Sequence, residues 1–425
     1  MTVLFEKVAL PQKGDGWYVL VSGNKIASIE KERPHGTFDR VIKGEGCLLI
    51  PGLCNAHTHT AMTIFRGYGE DLPLERWLTE RIFPAEDRLH DRAVYLGSKL
   101  AIAEMISGGV TSFSDMYFFC DATARAVYES GIKANLSRSI VSFDENADPA
   151  VDERVLESLA LYREWNGEGE GRIKIDFSLH AEYTNKAPMV RYMAEQTKKY
   201  NTRMQIHLSE TEKEHRECIG RHGVTPTAFF LQNGLFEAPV SCAHGVYLTD
   251  EDRSILSEAG ATVVHNPISN LKLGSGIMPL AKTIASGVRV ALGTDGAASN
   301  NRLDLLREMQ TALLLQKGVS GEPESIKAGD GLLLAAENGY LSQGREDSGR
   351  IEVGARADLA LYKLTSLPNL PSVDLLVSLA YSASATDTVL TMADGRILYE
   401  NGVFTTLDVE KLKYEFLDMR EHYFD

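Results

Sequence analysis

The strongest constraint on what this chain can fold into is a period. From about residue 46, a short apolar run rich in β-branched residues and ending on a polar one alternates with a longer stretch whose apolar residues recur at three- and four-residue spacing. The runs are 46–54, 110–116, 132–140, 173–179, 203–208, 239–243, 261–265 and 289–293, eight in all. Helical segments such as 91–107, 120–130, 152–165, 188–200, 249–259 and 278–286 lie between them. Strands alternating with helices imply parallel pairing through right-handed crossovers. Eight such units predict an α/β fold of the (β/α)8 (TIM) barrel type. An open doubly wound sheet would more often show a glycine-rich phosphate turn after its first strand. Here that position reads Asn55-Ala56-His57-Thr58-His59.

The two ends of the chain follow a different pattern. Residues 3–10, 17–22, 25–31 and 38–43 read as short strands, with Gly14-Asp15-Gly16 and Gly23-Asn24 as turns between them. Residues 358–363, 387–393 and 396–404 resume that pattern, with Asp394-Gly395 and Asn401-Gly402 as hairpin signals. The expectation is one small β-sandwich assembled from both termini, residues 1–50 plus 355–425 with a closing helix near 407–420, beside a barrel of residues 51–354. A length of 425 residues suits that division better than three consecutive domains.

Charge narrows the partners. With 44 Lys+Arg against 59 Asp+Glu the formal charge is −15, and no basic block interrupts it, so nucleic acid and anionic membrane are not expected as partners. A small-molecule substrate fits better. The N-terminus has no basic segment followed by an apolar stretch, and no apolar run reaches the length of a membrane span, so the expectation is a cytoplasmic protein. The five cysteines, 47, 54, 120, 218 and 242, form no C-x-x-C pair and read as buried thiols in a reducing compartment.

Chemistry in such barrels sits at the C-terminal ends of the strands. The polar residues there are His57 and His59, Asp115, Arg138, His180, His207 with Glu210, His244, His265-Asn266 and Asp295. Imidazole and carboxylate together select zinc or a similar divalent metal. His57-x-His59 puts two imidazoles on one face of an extended strand, because side chains two apart point the same way. Alone, that pattern more often marks two packed histidines than a metal site. Its place after the first of eight strands, with His207, His244 and Asp295 after the fifth, sixth and eighth, reverses the balance.

The segments PGLCNAHTHTAM (51–62), HLSE (207–210), CAHGVYLT (242–249), HNPISNLKLGSGIMPL (265–280) and LGTDGAASNN (292–301) resemble the amidohydrolase superfamily, and within it the methylthioadenosine/S-adenosylhomocysteine deaminases. The resemblance runs from about residue 3 to 404. It implies a mononuclear site, one zinc per subunit with iron or manganese as alternatives, held by His57, His59, His207 and Asp295. No Lys stands at the end of the fourth strand, where binuclear members carry a bridging carbamylated Lys; His180 stands there instead.

Hydrolytic deamination of an aminopurine needs a hydroxide near neutral pH, a proton for the ring nitrogen beside the attacked carbon, and an acceptor for the water's proton. Zinc supplies the first by lowering the pKa of bound water to about 7. The resemblance implies that Asp295 both ligates and takes the proton. Glu210, three residues beyond His207, is the candidate general acid, against the plainer reading of a loop carboxylate. His244 is the candidate hydrogen-bonding partner of the water or the developing tetrahedral centre.

For the substrate, the resemblance implies that Glu86 accepts from ribose hydroxyls, that His180 contacts the purine, and that Arg138 and Arg154 meet the amino-acid carboxylate of S-adenosylhomocysteine. On its own residues Glu86 is nearly as good a helix N-terminal charge, and Arg154 equally a solvated surface residue. His265 and Asn266 are expected to shape the site floor, and Trp77 with the 68–82 loop to line or cover the pocket. After His180 the chain reads Ala181-Glu182-Tyr183, where close relatives tend to have a Ser-Pro-type turn. The expected reaction is deamination of adenine in a 5′-modified nucleoside: S-adenosylhomocysteine, methylthioadenosine, 5′-deoxyadenosine or adenosine. The alternatives are a free-base or pterin deaminase, a triazine hydrolase on the same metal site, a cyclic-amide hydrolase and a non-catalytic scaffold. Related enzymes are commonly homo-oligomers.

Overall fold

The computed structural model describes residues 1–423, with the side chain of His422 left aside. Eight parallel strands follow one another around a barrel: Leu53–Thr58, Val110–Tyr117, Lys133–Ile140, Ile173–Leu179, Met204–Leu208, Val240–His244, Thr262–His265 and Arg289–Leu292. The fourth is interrupted at Asp176, giving Ile173–Ile175 and Phe177–Leu179. Helices Asp91–Ser107, Cys120–Ser130, Glu153–Trp165, Ala187–Lys199, Asp250–Glu258 and Leu280–Ala285 fall where apolar spacing places them. The barrel closes between its last and first strands through polar groups. Asn55 exchanges hydrogen bonds with Thr294, its Oδ1 accepting from the backbone N–H at 3.0 Å and its Nδ2 donating to Oγ1 at 2.8 Å, and the Asp295 N–H donates to the His57 carbonyl at 3.0 Å.

Beneath the strands, buried polar side chains fill the barrel. Asp176 accepts from Asn135 at 2.9 Å and from Gln205 at 2.9 Å, while Ser112 donates to Gln343 and Gln343 donates to Ser114 at 3.0 Å. Arg345 donates to the Ala134 and Arg172 carbonyls, so segment 342–345 stoppers the N-terminal end. That leaves the opposite, C-terminal end for a site.

The terminal segments form one mixed nine-stranded sheet, built from Thr2–Leu10, Gly14–Ser22, Lys25–Glu30, Arg40–Lys43 and Cys47–Pro51 at one end of the chain and Leu359–Lys363, Thr388–Ala393, Arg396–Glu400 and Val403–Phe404 at the other. Two expectations are corrected here. The apolar run 46–54 is not one barrel strand: Cys47–Pro51 pairs antiparallel with Leu359–Lys363, and the barrel begins at Leu53. Cys47 and Leu49 face the core of the terminal sheet while Leu48 and Ile50 face the barrel helices, so every position is apolar and the run shows no boundary. Gly14-Asp15-Gly16 lies inside a strand; the turn before it is at 11–13.

Lys133, at the start of the third barrel strand, ties the two parts together. Its ammonium lies 2.6 Å from Asp358 and 2.9 Å from Asp394, with Lys133 and Asp358 almost wholly buried. Helix Val409–Tyr423 packs back onto helix Asp91–Ser107. Among the described residues no helix is long and apolar enough to cross a membrane. All five cysteines are free and buried.

Candidate active site

Three imidazoles meet above the strands. His57 is the penultimate residue of the first strand, His59 follows directly after that strand, and His207 sits in the fifth; their ligand atoms all lie within 4.8 Å of one another. Asp295, just past the eighth strand, brings Oδ1 to 3.2 Å from His59 Nε2 and 3.7 Å from His57 Nε2. Its other oxygen is spoken for, since Oδ2 accepts from Ser269 at 2.6 Å and Ser299 at 2.8 Å. Two of the imidazoles are oriented by backbone: His59 Nδ1 donates to the Met116 carbonyl at 2.5 Å and His207 Nδ1 to the His180 carbonyl at 2.8 Å. Each bond fixes the tautomer and leaves Nε2 free to coordinate.

The donor set suits a divalent metal. Among the described residues His57 Nε2 is buried with no hydrogen-bond partner, a costly state for an imidazole that a metal would relieve. Burial opposes charge on Asp295, yet the hydrogen bond and charge of His59 outweigh it and hold the carboxyl well below the usual carboxylate range. Burial likewise opposes charge on His59, but its bond to Asp295 raises it to about 9. Burial first, then the neighbouring His59 charge, pushes His57 well below the ordinary imidazole range, and burial followed by the His180 charge does the same to His207.

The chain turns sharply to present these groups. Ser209, His244 and Asp295 all take positive φ, 48°, 76° and 61°, a conformation that costs a non-glycine residue about 1–3 kcal/mol. At Gly293 a Cβ would fall 2.4 Å from Asn266 Oδ1 and 2.9 Å from the His57 backbone nitrogen, so only glycine fits beside the first strand. Asp115 braces the His-x-His corner, accepting from Thr58 at 2.9 Å and from the Thr60 N–H at 2.6 Å.

Glu210 and His244 form the second arm. Their closest approach is 3.8 Å between Oε2 and Nε2; Glu210 Oε1 accepts from Ser275 at 3.2 Å, and His244 Nδ1 donates to Asn270 at 2.8 Å. Burial raises the Glu210 carboxyl, against the opposing charge of His244. Behind it, Glu214 accepts from the backbone N–H groups of Ser209 at 2.9 Å and Glu210 at 2.7 Å, so the turn carrying the acid hangs from a buried carboxylate that burial pushes up to about 7.

A cleft of about 460 Å³ is lined by Glu86, Phe118, Phe119, Arg138, Glu157 and Leu161 among others. Tyr117 bridges cleft and cluster, its ring 6.0 Å from that of His59 and its hydroxyl donating to Glu86 at 2.6 Å. Burial lifts Glu86 to about 7. His180 lies beside the cluster, its ring 4.8 Å from His207, and burial lowers it to about 4. Arg138 projects into the cleft, paired with Glu157 at 2.6 Å.

Arg154 is not brought to the cleft. Asp152 caps helix Glu153–Trp165 by accepting from the Arg154 N–H at 2.9 Å, and the same carboxylate captures the guanidinium at 2.5 and 2.9 Å, so cap and ion pair hold the side chain at the helix start. Trp77 is likewise buried in the core, and the 68–82 segment is partly helical, with Leu74–Trp77 and Leu78–Ile82 as turns. His265 and Asn266 are buried under the cluster. Ser269, Ser299, Asn270, Ser275 and Glu214 were not legible as site residues. Their one signal is position within the 265–280 and 292–301 motifs, or one helical turn past Glu210.

The model of the amidohydrolase family matches residues 48–398. The 5-methylthioadenosine/S-adenosylhomocysteine deaminase of Dictyoglomus thermophilum is 42% identical over 392 residues, 92% of this chain and 91% of that one. The protein of the same name from Caldicellulosiruptor saccharolyticus is 41% identical over 406 residues, covering 94% and 92%. Among solved structures, an adenosine deaminase from Xanthomonas campestris with bound zinc superimposes with a TM-score of 0.93 at 30% identity, over 99% of this chain and 98% of that one. An atrazine chlorohydrolase from Arthrobacter aurescens, complexed with zinc, shares the fold, with a TM-score of 0.91 at 23% identity over 98% of this chain and the whole of that one. By the family match and these identities, the chain belongs to the amidohydrolase family.

Proposed function

We propose that the protein is a zinc-dependent aminohydrolase that converts the adenine of a 5′-modified nucleoside, such as methylthioadenosine or S-adenosylhomocysteine, to the inosine analogue with release of ammonia. The observation that carries this reading is the convergence of three Nε2 atoms and one free carboxylate oxygen, with a buried carboxyl at Glu210 beside them. Relatives at about 40% identity bearing the deaminase name support the choice of substrate.

His57, His59, His207 and Asp295 would hold one metal ion, and His180 stands at the end of the fourth strand, where a lysine would be needed to bridge a second. When bound, zinc lowers the pKa of a water to about 7 and polarises its oxygen for attack. Asp295 accepts the water's proton at Oδ1, because Ser269 and Ser299 occupy Oδ2. Glu210 keeps its proton more readily than an exposed glutamate, delivers it to the ring nitrogen beside the attacked carbon, and then relays to the leaving amine the proton that the added hydroxyl gives up as it becomes the carbonyl. His244, fixed by Asn270, presents Nε2 to the oxygen that adds to the ring. Glu86 accepts from the ribose hydroxyls when ionised, and His180, held neutral, contacts the purine.

The test is a panel of adenosine, methylthioadenosine, S-adenosylhomocysteine, guanine and 8-oxoguanine, followed by the ultraviolet change on deamination with metal analysis on the same preparation. Turnover of the adenine nucleosides with about one metal per chain is expected on the four-ligand count. Turnover of guanine or 8-oxoguanine alone replaces the substrate reading, and about two metals per chain sinks the mononuclear one.

A further inference from the structure

The helix that follows the acid, Glu212–His222, is strongly polar, and the face it buries is polar too. Its buried positions are Glu214 and Cys218. Arg221 comes seven residues after Glu214, so it lies two turns on along the same face, about 10 Å down the axis. Glu214, at the near end, holds the backbone N–H groups of Ser209 and Glu210. The far end holds a second carboxylate. Glu182, its side chain almost wholly buried, accepts from Arg221 Nη2 at 2.6 Å and Nε at 3.3 Å, and from His222 Nε2 at 2.8 Å. Charge-assisted bonds of this kind are about twice as strong as neutral ones.

Glu182 stands two residues past His180, in the short turn Glu182–Thr184 that follows the fourth strand. Where a Ser-Pro-type turn would fix its own backbone through the proline ring, this one reads Ala181-Glu182-Tyr183 and takes its rigidity from outside. The turn orients two histidines. The His180 ring reaches Thr184 Oγ1 through Nδ1 at 3.2 Å and stands edge-on to the Tyr183 ring at 5.9 Å. The His180 carbonyl accepts from the His207 backbone N–H at 2.9 Å and from His207 Nδ1 at 2.8 Å.

We infer that Glu182 is a positioning residue for the deamination: through Arg221 and His222 it ties the turn bearing His180 to the same helix whose other end, through Glu214, ties the turn bearing Glu210. This rests on the adenine-nucleoside reading above and deepens it. In that reading His180 contacts the purine and Glu210 protonates its ring nitrogen, so the spacing of the two turns decides whether nitrogen and proton meet. Two turns of one helix set that spacing, and a displacement of about 1 Å can cost about 10²-fold in rate. Glu182 acts through the turn, not on the substrate.

The test is steady-state deamination of methylthioadenosine by Glu182→Gln, Arg221→Gln and the double variant, with metal content and urea midpoint measured on the same preparations. Each single substitution is expected to lower kcat about tenfold or more, with metal content unchanged. KM should stay within about threefold of wild type, because the ribose contact at Glu86 comes from a different segment, and misalignment in the transition state appears in kcat. The double variant should be no slower than the slower single one, since the two residues act as a unit. A lowered urea midpoint with kcat of the folded fraction within about twofold of wild type would make the pair a brace of the fold alone and overturn the inference. A rise in KM at unchanged kcat, losses that multiply in the double variant, or metal loss accompanying the fall would overturn it too. The Arg221 side chain is 35% exposed, so that variant carries the test if Glu182→Gln does not fold. A wild type that deaminates no adenine nucleoside overturns the functional reading and this inference with it.

Discussion

Glu210→Gln isolates the proposed proton donor from everything else at the site. Glutamine keeps the carbonyl oxygen that accepts from Ser275 Oγ at 3.2 Å, and it keeps the backbone N–H that donates to Glu214, so the turn stays in place. It has no proton to give to a ring nitrogen. General acid catalysis contributes about 10²–10⁴-fold, so kcat should fall by that factor, equivalent to about 2.7–5.5 kcal/mol. Metal content should not change, because the coordinating atoms come from His57, His59, His207 and Asp295. Stability provides an independent check with a definite sign. Burial raises the Glu210 carboxyl in the folded protein, so the folded state binds that proton more tightly than the unfolded one. Its contribution to stability therefore declines as pH climbs above the unfolded carboxyl value of about 4.3. A neutral glutamine escapes this, and the variant should be at least as heat-stable as the wild type at neutral pH. The assays are steady-state deamination of methylthioadenosine by ultraviolet absorbance, metal analysis and thermal denaturation. Turnover within a few-fold of wild type would refute Glu210 as the acid; loss of metal together with activity would make it a ligand instead.

Three further outcomes follow from the same geometry. Glu86, raised by burial to about 7, must be ionised to accept two hydroxyls, so kcat/KM for a ribosylated substrate should fall as pH drops through that value, and Glu86→Gln should lose this limb of the profile. Asn270→Ala frees His244 Nδ1 from its 2.8 Å partner, and kcat should drop about 10–100-fold with metal content unchanged, as for other groups that orient an active-site imidazole; unaltered kcat refutes the positioning role. Lys133→Met leaves the fully buried Asp358 without its cation, while Asp394 keeps Arg356 at 3.3 Å, and should destabilise the protein by about 3–5 kcal/mol, read as a lowered urea midpoint, with the kcat of the folded fraction preserved.

The barrel and the cluster of side chains above it were legible in the sequence because both are written in short-range patterns. A strand that ends in His-x-His, and a later one that ends in Gly-Thr-Asp, keep their meaning whatever surrounds them. The residues that hold those side chains still carry no such pattern. Ser269 and Ser299 are single hydroxyls on separate loops, joined only because the seventh and eighth strands are neighbours and both side chains reach the same Asp295 oxygen. Glu214 and Glu308 sit in helices of mixed composition, where a glutamate is usually solvated. In the folded protein both are buried and bind the loops: Glu214 the turn at Ser209 and Glu210, Glu308 the Ile268 N–H at 3.1 Å and the Asn300 amide at 2.6 Å. Arg154 went the other way, since a guanidinium two residues after an aspartate at a helix start finds that carboxylate before it finds a substrate. These cases share one cause. Of the three strand ends with positive φ, Ser209, His244 and Asp295, the first is held by a buried carboxylate, Glu214, that accepts its backbone N–H, and Glu308 holds the unstrained segment following His265 in the same way. A strained turn and the acid that restrains it are chosen together by three-dimensional neighbours, so neither can be read from its own stretch of chain.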